Sequence, residues 1–107
     1  MPRREYNFWV YILSSRSRNL YTGMTNSLLR RVRTHRASTP GTHTARYSIH
    51  RLVYYEHFQY VSNAIARETQ LKRFTRQQKI DLIERNNPTW EDLYPSLLPP
   101  NHPDHRS

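Results

Sequence analysis

The chain has 107 residues, and its 17 Lys and Arg residues against 8 Asp and Glu residues leave a formal net charge of +9. This length suits one compact domain, and the absence of cysteine excludes disulfides and thiolate metal sites. The positive charge favours a polyanionic partner, chiefly nucleic acid and otherwise an anionic membrane surface. No apolar run has the length of a membrane span and no signal-peptide pattern follows the basic N-terminus, so we expect a cytoplasmic protein.

Two runs near the N-terminus predict a β-hairpin. Aromatic and β-branched residues over 7–14 predict a first strand, and residues 20–24 predict a second. The polar residues between them predict a turn centred near Arg16. That register places Tyr11 opposite Tyr21 with both side chains on one face.

Apolar spacing and capping residues predict the elements that follow. They are a helix from about 27 to 37 after a Thr25 or Asn26 cap, a loop over 38–48, a strand over 50–58, a helix over 64–74 after a Ser62 or Asn63 cap, and a helix from Gln77 to Arg85. Residues 95–107 are rich in Pro, His and Asp and are expected to form a flexible tail, so the domain is expected to span 1–94. The order β-β-α-β-α-α predicts a small α+β fold in which helices flank a three-stranded antiparallel or mixed sheet.

The helix over 27–37 carries side chains that suit phosphate chemistry. Arg31 and His35 are four residues apart and share one helix face, and Tyr21 lies on the strand that leads into this helix. Gly23 allows the backbone to turn from strand to helix, or allows a phosphate to approach closely. A guanidinium, an imidazole and a phenol are thus predicted to meet on one patch. The alternative is that the arginines form a solvated basic face and that the tyrosines are half-buried strand residues.

Glu68 lies on the same side of its predicted helix as Ala64 and Leu71. A carboxylate beside a core-facing stripe needs a partner or a metal ion. An ion pair with Lys72 at i+4 is one interpretation. A Mg²⁺ ion is the other, because Mg²⁺ keeps several waters and is often shared between one or two carboxylates and substrate phosphates.

Several stretches of the chain resemble a known family. Two triplets, Trp9-Val10-Tyr11 and Tyr21-Thr22-Gly23, fall on the two strands of the hairpin, and YTGMTNSLLRRVRTH continues from the second strand into the first helix. Further on stand RYSIHRLVYYEHF and AIARETQLKRFTRQQKIDLIERNNPTWEDL. Over residues 7–94 this pattern resembles the GIY-YIG nucleases, and in particular their small stand-alone bacterial branch. Trp9 stands in place of a glycine of the family pattern, and Thr22 in place of an aliphatic residue.

The resemblance implies a metal-dependent endonuclease that hydrolyses phosphodiester bonds in DNA. It implies that Tyr11 or Tyr21 helps to activate the attacking water, that Arg31 binds the scissile phosphate, that His35 lies in the active site and relays a proton, that Gly23 shapes the backbone, and that Glu68 is the single protein ligand of a Mg²⁺ or Mn²⁺ ion. The expected nucleic-acid contacts are Arg30, Arg33, Arg36, Arg46 and Lys72.

Other functions stay open from the sequence. The positive charge would equally serve a non-catalytic nucleic-acid-binding domain on the same fold. Exposed aromatic residues would favour single-stranded or branched DNA, and RNA stays open as a substrate. No basic amphipathic helix with Trp or Phe on one face stands out, so no membrane partner is expected. Oligomeric state and sequence preference are not indicated.

Overall fold

The computed structural model describes residues 6–36 and 51–98, which form three strands and three helices in the predicted order. They are β1 (Phe8–Ser14), β2 (Leu20–Thr25), α1 (Leu28–Arg36), β3 (Arg51–Phe58), α2 (Val61–Lys72) and α3 (Arg76–Asn86), followed by a 3₁₀ turn at Tyr94–Leu97. Strand β1 lies at the centre of the sheet and pairs antiparallel with both β2 and β3. The α+β prediction is confirmed, with a purely antiparallel sheet. The predicted loop over 38–48, with Arg46, lies outside the described residues.

The sheet packs a hydrophobic cluster on each face, because successive residues of a strand point to opposite sides. One cluster joins β1 to α2 and α3 and includes Val10, Ile12, Ala64, Leu71 and Ile83. The other joins β1 to α1 and the 3₁₀ turn and includes Tyr11, Leu13, Val32, Tyr94 and Leu98. Helix α1 therefore covers one face of the sheet, while α2 and α3 cover the other.

The register of the β1–β2 hairpin differs from the predicted one. Tyr11 pairs with Gly23, so the turn centres on Ser17 rather than Arg16, and the predicted pairing of Tyr11 with Tyr21 is wrong. A shift of one residue in the turn moves the partner by two residues and keeps the same face. Tyr11 and Tyr21 therefore still lie on one side of the sheet.

Polar contacts inside the loop set this register. The amide of Ser15 donates to the carbonyl of Asn19, and the amide of Asn19 donates to the hydroxyl of Ser15, both at 3.0 Å. Arg18 adopts a positive φ of 64°, which lets the chain reverse within the loop. The loop between the strands thus spans 15–19, as the strand pattern predicts, and its centre is Ser17.

The start of α1 differs by one or two residues from the predicted caps. Ser27 precedes the helix, and its carbonyl accepts the amide of Arg31 at 3.0 Å. The hydroxyl of Thr25 accepts the amide of Ser27 at 3.0 Å, which forms a small turn just before the helix.

The start of α2 also differs from the prediction, whereas α3 agrees with it. Helix α2 begins at Val61 without a side-chain cap, so Ser62 and Asn63 lie inside the helix and do not cap it. Burial of its apolar side thus stabilises α2 without a cap. Helix α3 begins one residue before the predicted start, with a capping box between Thr75 and Gln78.

The segment after α3 folds back along the outer edge of β3. The amide of Leu93 donates to the carbonyl of Leu52 at 2.7 Å, and the side-chain amide of Asn87 donates to the carbonyl of Val53 at 3.1 Å. These bonds satisfy edge-strand groups that would otherwise lack partners. Leu98 is 6% exposed, so the chain packs on the core four residues past the predicted end of the domain. Residues 99–107 lie outside the described residues.

Candidate active site

Three ring side chains from β1, β2 and α1 meet on the face of the sheet that α1 covers. The hydroxyl oxygen of Tyr11 lies 3.2 Å from Nε2 of His35. The ring centroid of Tyr21 lies 5.0 Å from that of His35 and 6.3 Å from that of Tyr11. We call these three residues the tyrosine–histidine cluster. The hairpin supplies the two phenols, and the last turn of α1 brings the imidazole over them.

Gly23 makes room for the phenol of Tyr11. A Cβ atom at position 23 would lie 2.5 Å from the hydroxyl oxygen of Tyr11 and 2.6 Å from its Cζ. Strand β2 therefore needs a residue without a side chain opposite Tyr11. This packing reason differs from the two expected ones, because Gly23 lies within β2 and not at a turn into α1.

Burial and the charge of Arg31 set the protonation states of the cluster. Tyr11 is fully buried, which raises the pKa of Tyr11 to about 12, and the nearby guanidinium of Arg31 opposes that rise. Burial lowers the pKa of His35 below its usual value of 6.5, and the positive charge of Arg31 lowers it further. At neutral pH the phenol is therefore protonated and the imidazole neutral. Nε2 is the imidazole nitrogen in this contact, and Tyr11 donates to it in the tautomer that carries the imidazole proton on Nδ1.

The predicted patch of Arg31, His35 and Tyr21 therefore exists, with Tyr11 beneath it. Arg31 is an exposed residue of α1, and its charge acts on both Tyr11 and His35. The catalytic roles of these four residues stay predictions.

Two of the expected nucleic-acid contacts take part in packing. Arg36 forms an ion pair with Asp92 at 2.7 Å, and its guanidinium lies 4.4 Å from the ring centroid of Tyr94. Nε of Arg33 donates to the hydroxyl of Tyr94 at 3.5 Å. These two arginines connect α1 to the 3₁₀ turn and to Asp92 just before it. Sequence spacing offered no signal for this, because Arg33 and Tyr94 are 61 residues apart. Arg30 is exposed.

Glu68 is carried by a helix that packs on the other face of the sheet. It lies on α2, which packs against β1 and β2 together with α3. Its carboxylate forms the i,i+4 ion pair with Lys72 at 3.3 Å, which was one of the two interpretations of this residue. Strand β2 is common to both parts of the candidate site, because α2 packs on it from one side while Tyr21 points from it to the other.

Glu68 suits a metal ion that takes few protein ligands. Among residues 6–36 and 51–98, no group of three or more His, Cys, Asp or Glu side chains is placed to hold a metal ion. The Glu68 side chain is 22% exposed and so offers one accessible carboxylate. A single carboxylate fits Mg²⁺ or Mn²⁺ held mainly by water and substrate phosphate, and does not fit a site built from protein ligands alone.

Lys79 was not among the residues that the sequence singled out. This residue is half-buried on α3. Burial lowers the pKa of Lys79, and the positive charge of Lys72 lowers it further. No helical spacing rule connects the two lysines because they lie on different helices. Composition was the one feature of the sequence that set the two residues apart. Lys72 and Lys79 are the two lysines of the chain, and its other basic residues are arginines.

Comparison with known proteins agrees with the fold. The model of the GIY-YIG catalytic domain matches residues 7–81, so the chain belongs to the GIY-YIG family. It is similar to a UPF0213 protein of Clostridium perfringens, at 39% identity over 75 residues that cover 70% of this chain and 81% of the relative. It is also similar to a UPF0213 protein of Staphylococcus haemolyticus, at 40% identity over 76 residues that cover 71% of this chain and 93% of the relative.

A solved structure shows the same architecture. The solution NMR structure of a UPF0213 protein from Bacillus halodurans matches with a TM-score of 0.54 and 28% identity, covering 80% of this chain and 92% of that one. The resemblance to small stand-alone proteins of the GIY-YIG family is therefore confirmed. In general terms, the family assignment indicates a nuclease that acts on nucleic acid and depends on a divalent metal. None of the helices in the described segments has the length and apolar character needed to cross a membrane.

Proposed function

We propose that the protein is a metal-dependent endonuclease that hydrolyses phosphodiester bonds in DNA. The observation that carries this proposal is the 3.2 Å contact between the Tyr11 hydroxyl and Nε2 of His35 beside the charge of Arg31. Hydrolysis needs a group that accepts a proton from the attacking water and a fixed positive charge at the phosphate. The cluster and Arg31 supply these two requirements side by side.

In this proposal neutral His35 is the final proton acceptor. A phenol with a pKa of about 12 is not ionised at neutral pH, so Tyr11 accepts a proton only as it passes its own to Nε2 of His35. Tyr11 is then neutral before and after the transfer, and His35 becomes positively charged. The half-buried Tyr21 reaches solvent where Tyr11 does not, so we assign Tyr21 the contact with the attacking water: its hydroxyl takes the water proton as it passes its own proton to Tyr11.

Arg31 and Glu68 handle charge in this proposal. The guanidinium of Arg31 donates paired hydrogen bonds to the non-bridging oxygens of the scissile phosphate. Glu68 would hold the Mg²⁺ or Mn²⁺ ion, which when bound supplies positive charge near the leaving oxygen. The formal net charge of +9 supports binding to the DNA backbone. The cytoplasmic location stays a prediction.

A cleavage panel tests the proposal. Duplex, single-stranded, flapped and branched DNA, and RNA, are incubated with the protein in Mg²⁺, Mn²⁺ or EDTA. We expect metal-dependent nicks in DNA, and we expect Tyr11→Phe, Arg31→Ala and Glu68→Ala each to lose about 10²-fold or more of the rate while circular dichroism shows the same fold.

Arg16→Ala is the matched control for Arg31→Ala, because Arg16 is an exposed arginine of the hairpin loop outside the cluster. It should cut at close to the wild-type rate. Salt-sensitive binding without cleavage in any metal would instead favour the non-catalytic alternative. Cutting in EDTA, or by Glu68→Ala at the wild-type rate, would overturn the metal assignment.

A further inference from the structure

One ammonium group lies beside the carboxylate that we propose as the metal ligand, and a second belongs to the next helix. Nζ of Lys72 lies 3.3 Å from Oε2 of Glu68. Lys79 lies on α3, which begins a short turn after α2 ends, and its charge interacts with that of Lys72. We call Glu68, Lys72 and Lys79 the Glu68–lysine cluster. One negative and two positive groups leave this cluster with a surplus of one positive charge.

The residue types in the cluster differ from those elsewhere in the chain. Lys72 and Lys79 are the chain's two lysines, whereas the remaining 15 of its 17 basic residues are arginines. An arginine beside a carboxylate forms a planar, bidentate and therefore fixed pair. A lysine is a compact point charge on a flexible stem, and it exchanges partners without a geometric penalty. A lysine at position 72 is thus a counter-ion that can leave Glu68.

Burial and exposure within the cluster favour such an exchange. The Lys72 side chain is 56% exposed and has room to swing, whereas that of Glu68 is 22% exposed and held nearer the sheet. Lys79 is half-buried, and both its burial and the charge of Lys72 oppose its positive charge, as its lowered pKa shows. An anion bound by both lysines would offset the repulsion between their charges. A divalent cation arriving alone would meet a carboxylate that is already paired.

We propose that Lys72 is a placeholder cation on Glu68 that moves to a substrate phosphate, with Lys79 as a second contact to that phosphate, so that metal binding at Glu68 becomes strong only when nucleic acid is present. The proposal rests on Glu68 being the metal ligand of the proposed nuclease. It deepens that function, because it makes the nucleic-acid phosphate part of the metal site and gives Lys79 a role.

Mn²⁺ binding tests this without any measurement of activity. The signal of free Mn²⁺ in electron paramagnetic resonance is titrated with the full chain, with and without a saturating single-stranded oligonucleotide. All proteins carry Tyr11→Phe to prevent cleavage. We expect the oligonucleotide to tighten Mn²⁺ binding by about tenfold, within the usual range of coupling between two sites, and Mn²⁺ to tighten oligonucleotide binding by the same factor.

Substitutions at position 72 should move Mn²⁺ affinity in opposite directions. Lys72→Gln frees the carboxylate, so the protein without oligonucleotide should bind Mn²⁺ several-fold more tightly and lose most of the coupling. Lys72→Arg should fix the pair and weaken Mn²⁺ binding. Lys79→Gln should reduce the coupling while changing Mn²⁺ affinity less. Arg73→Gln is the matched control, because it removes one positive charge from the exposed neighbouring residue and should leave the coupling as it is.

The outcomes separate this inference from the proposed function. If Glu68→Gln abolishes Mn²⁺ binding but Lys72→Gln binds Mn²⁺ no more tightly than the parent, the placeholder role is refuted and the metal assignment stands. If Mn²⁺ binding is unchanged in Glu68→Gln, or is absent from every variant with and without oligonucleotide, the metal assignment fails and the placeholder role fails with it.

Discussion

Replacing Gly23 by alanine tests whether the contact between Tyr11 and His35 depends on empty space above β2. The added Cβ would lie 2.5 Å from the hydroxyl oxygen of Tyr11 and 2.6 Å from Cζ, about 1 Å inside an ordinary van der Waals contact. Tyr11 is fully buried and has Tyr21 and His35 beside it, so its ring cannot withdraw without disturbing them. We expect the ring to shift and the 3.2 Å contact with His35 to break.

The size of the effect follows from two opposing terms. Overpacking of a closed core costs about 1–3 kcal/mol, while exchange of glycine for alanine stabilises by about 0.4–1 kcal/mol through the unfolded state. The net loss in the free energy of unfolding should be about 1–2 kcal/mol, which lowers the melting temperature by roughly 5–15 °C for a domain of this size. Cleavage should fall by about 10²-fold, because proton transfer needs hydrogen-bond distance.

A double-mutant cycle with Tyr11→Phe identifies the cause. Phenylalanine removes the oxygen at 2.5 Å but keeps Cζ at 2.6 Å, so it should relieve only part of the strain that Gly23→Ala introduces. Thermal and denaturant unfolding of the four proteins should then show a coupling energy of about 0.5–1.5 kcal/mol. Additive losses, with no coupling between the two positions, would show that the phenol does not occupy the space at Gly23.

Four further predictions concern other single groups. Among the described residues, Thr22 has a buried hydroxyl without a hydrogen-bond partner. Thr22→Val should therefore raise the free energy of unfolding by about 1 kcal/mol in urea titrations. Thr25→Val should lower it, because it breaks the hydrogen bond from the Ser27 amide. His35 must be neutral to accept a proton and its pKa is lowered, so kcat/KM should fall on the acid side only below pH 6.5. Folding stability should fall over the same pH range, because the imidazole binds a proton more readily in the unfolded state. Arg31→Met should raise the pKa of His35 in an NMR titration, and an unchanged value would show that Arg31 does not act on this imidazole. Asp92→Ala should lower the free energy of unfolding by about 2 kcal/mol, because Oδ1 of Asp92 accepts hydrogen bonds from the amides of Leu52 and Tyr94. Arg36→Gln should lower it by less than about 1 kcal/mol, because the ion pair is partly exposed. Equal losses in the two variants would contradict this division.

The grouping of Tyr11, Tyr21, Arg31 and His35 was predictable because it depends on short periods. Two residues on adjacent strands share a face by the period of two, and two residues on a helix share a face at a spacing of four. A hairpin that runs directly into a helix then brings both faces together. The same periods explain why the error in the turn left the site intact, since a shift of two residues in pairing preserves the face.

Other parts of the structure depend on contacts that no period encodes. The turn around Ser17 is set by side-chain bonds within the loop, and α2 starts without a capping side chain. The brace between Arg36 and Asp92 joins residues 56 positions apart. The reason for glycine at 23 became visible only once Tyr11 had a partner strand, because the clash lies across the hairpin and not along the chain.

The fixed arginine contacts also change how the charge of the chain relates to its substrate. Arg36 is paired with Asp92, and Arg67 donates to Glu56 at 2.9 Å and to Gln70 at 2.7 Å, so these guanidinium groups stabilise the fold. The total of 17 Lys and Arg residues therefore overstates the number of cations that are available to phosphates. The logarithm of the binding constant for duplex DNA falls with the logarithm of salt concentration by about 0.9 per phosphate contacted. We expect a slope that corresponds to fewer contacts than the 17 Lys and Arg residues, and that is reduced by Lys72→Gln and unchanged by Arg67→Gln in a protein that remains folded. A loss of slope with Arg67→Gln would mean that this arginine faces the substrate and not Glu56.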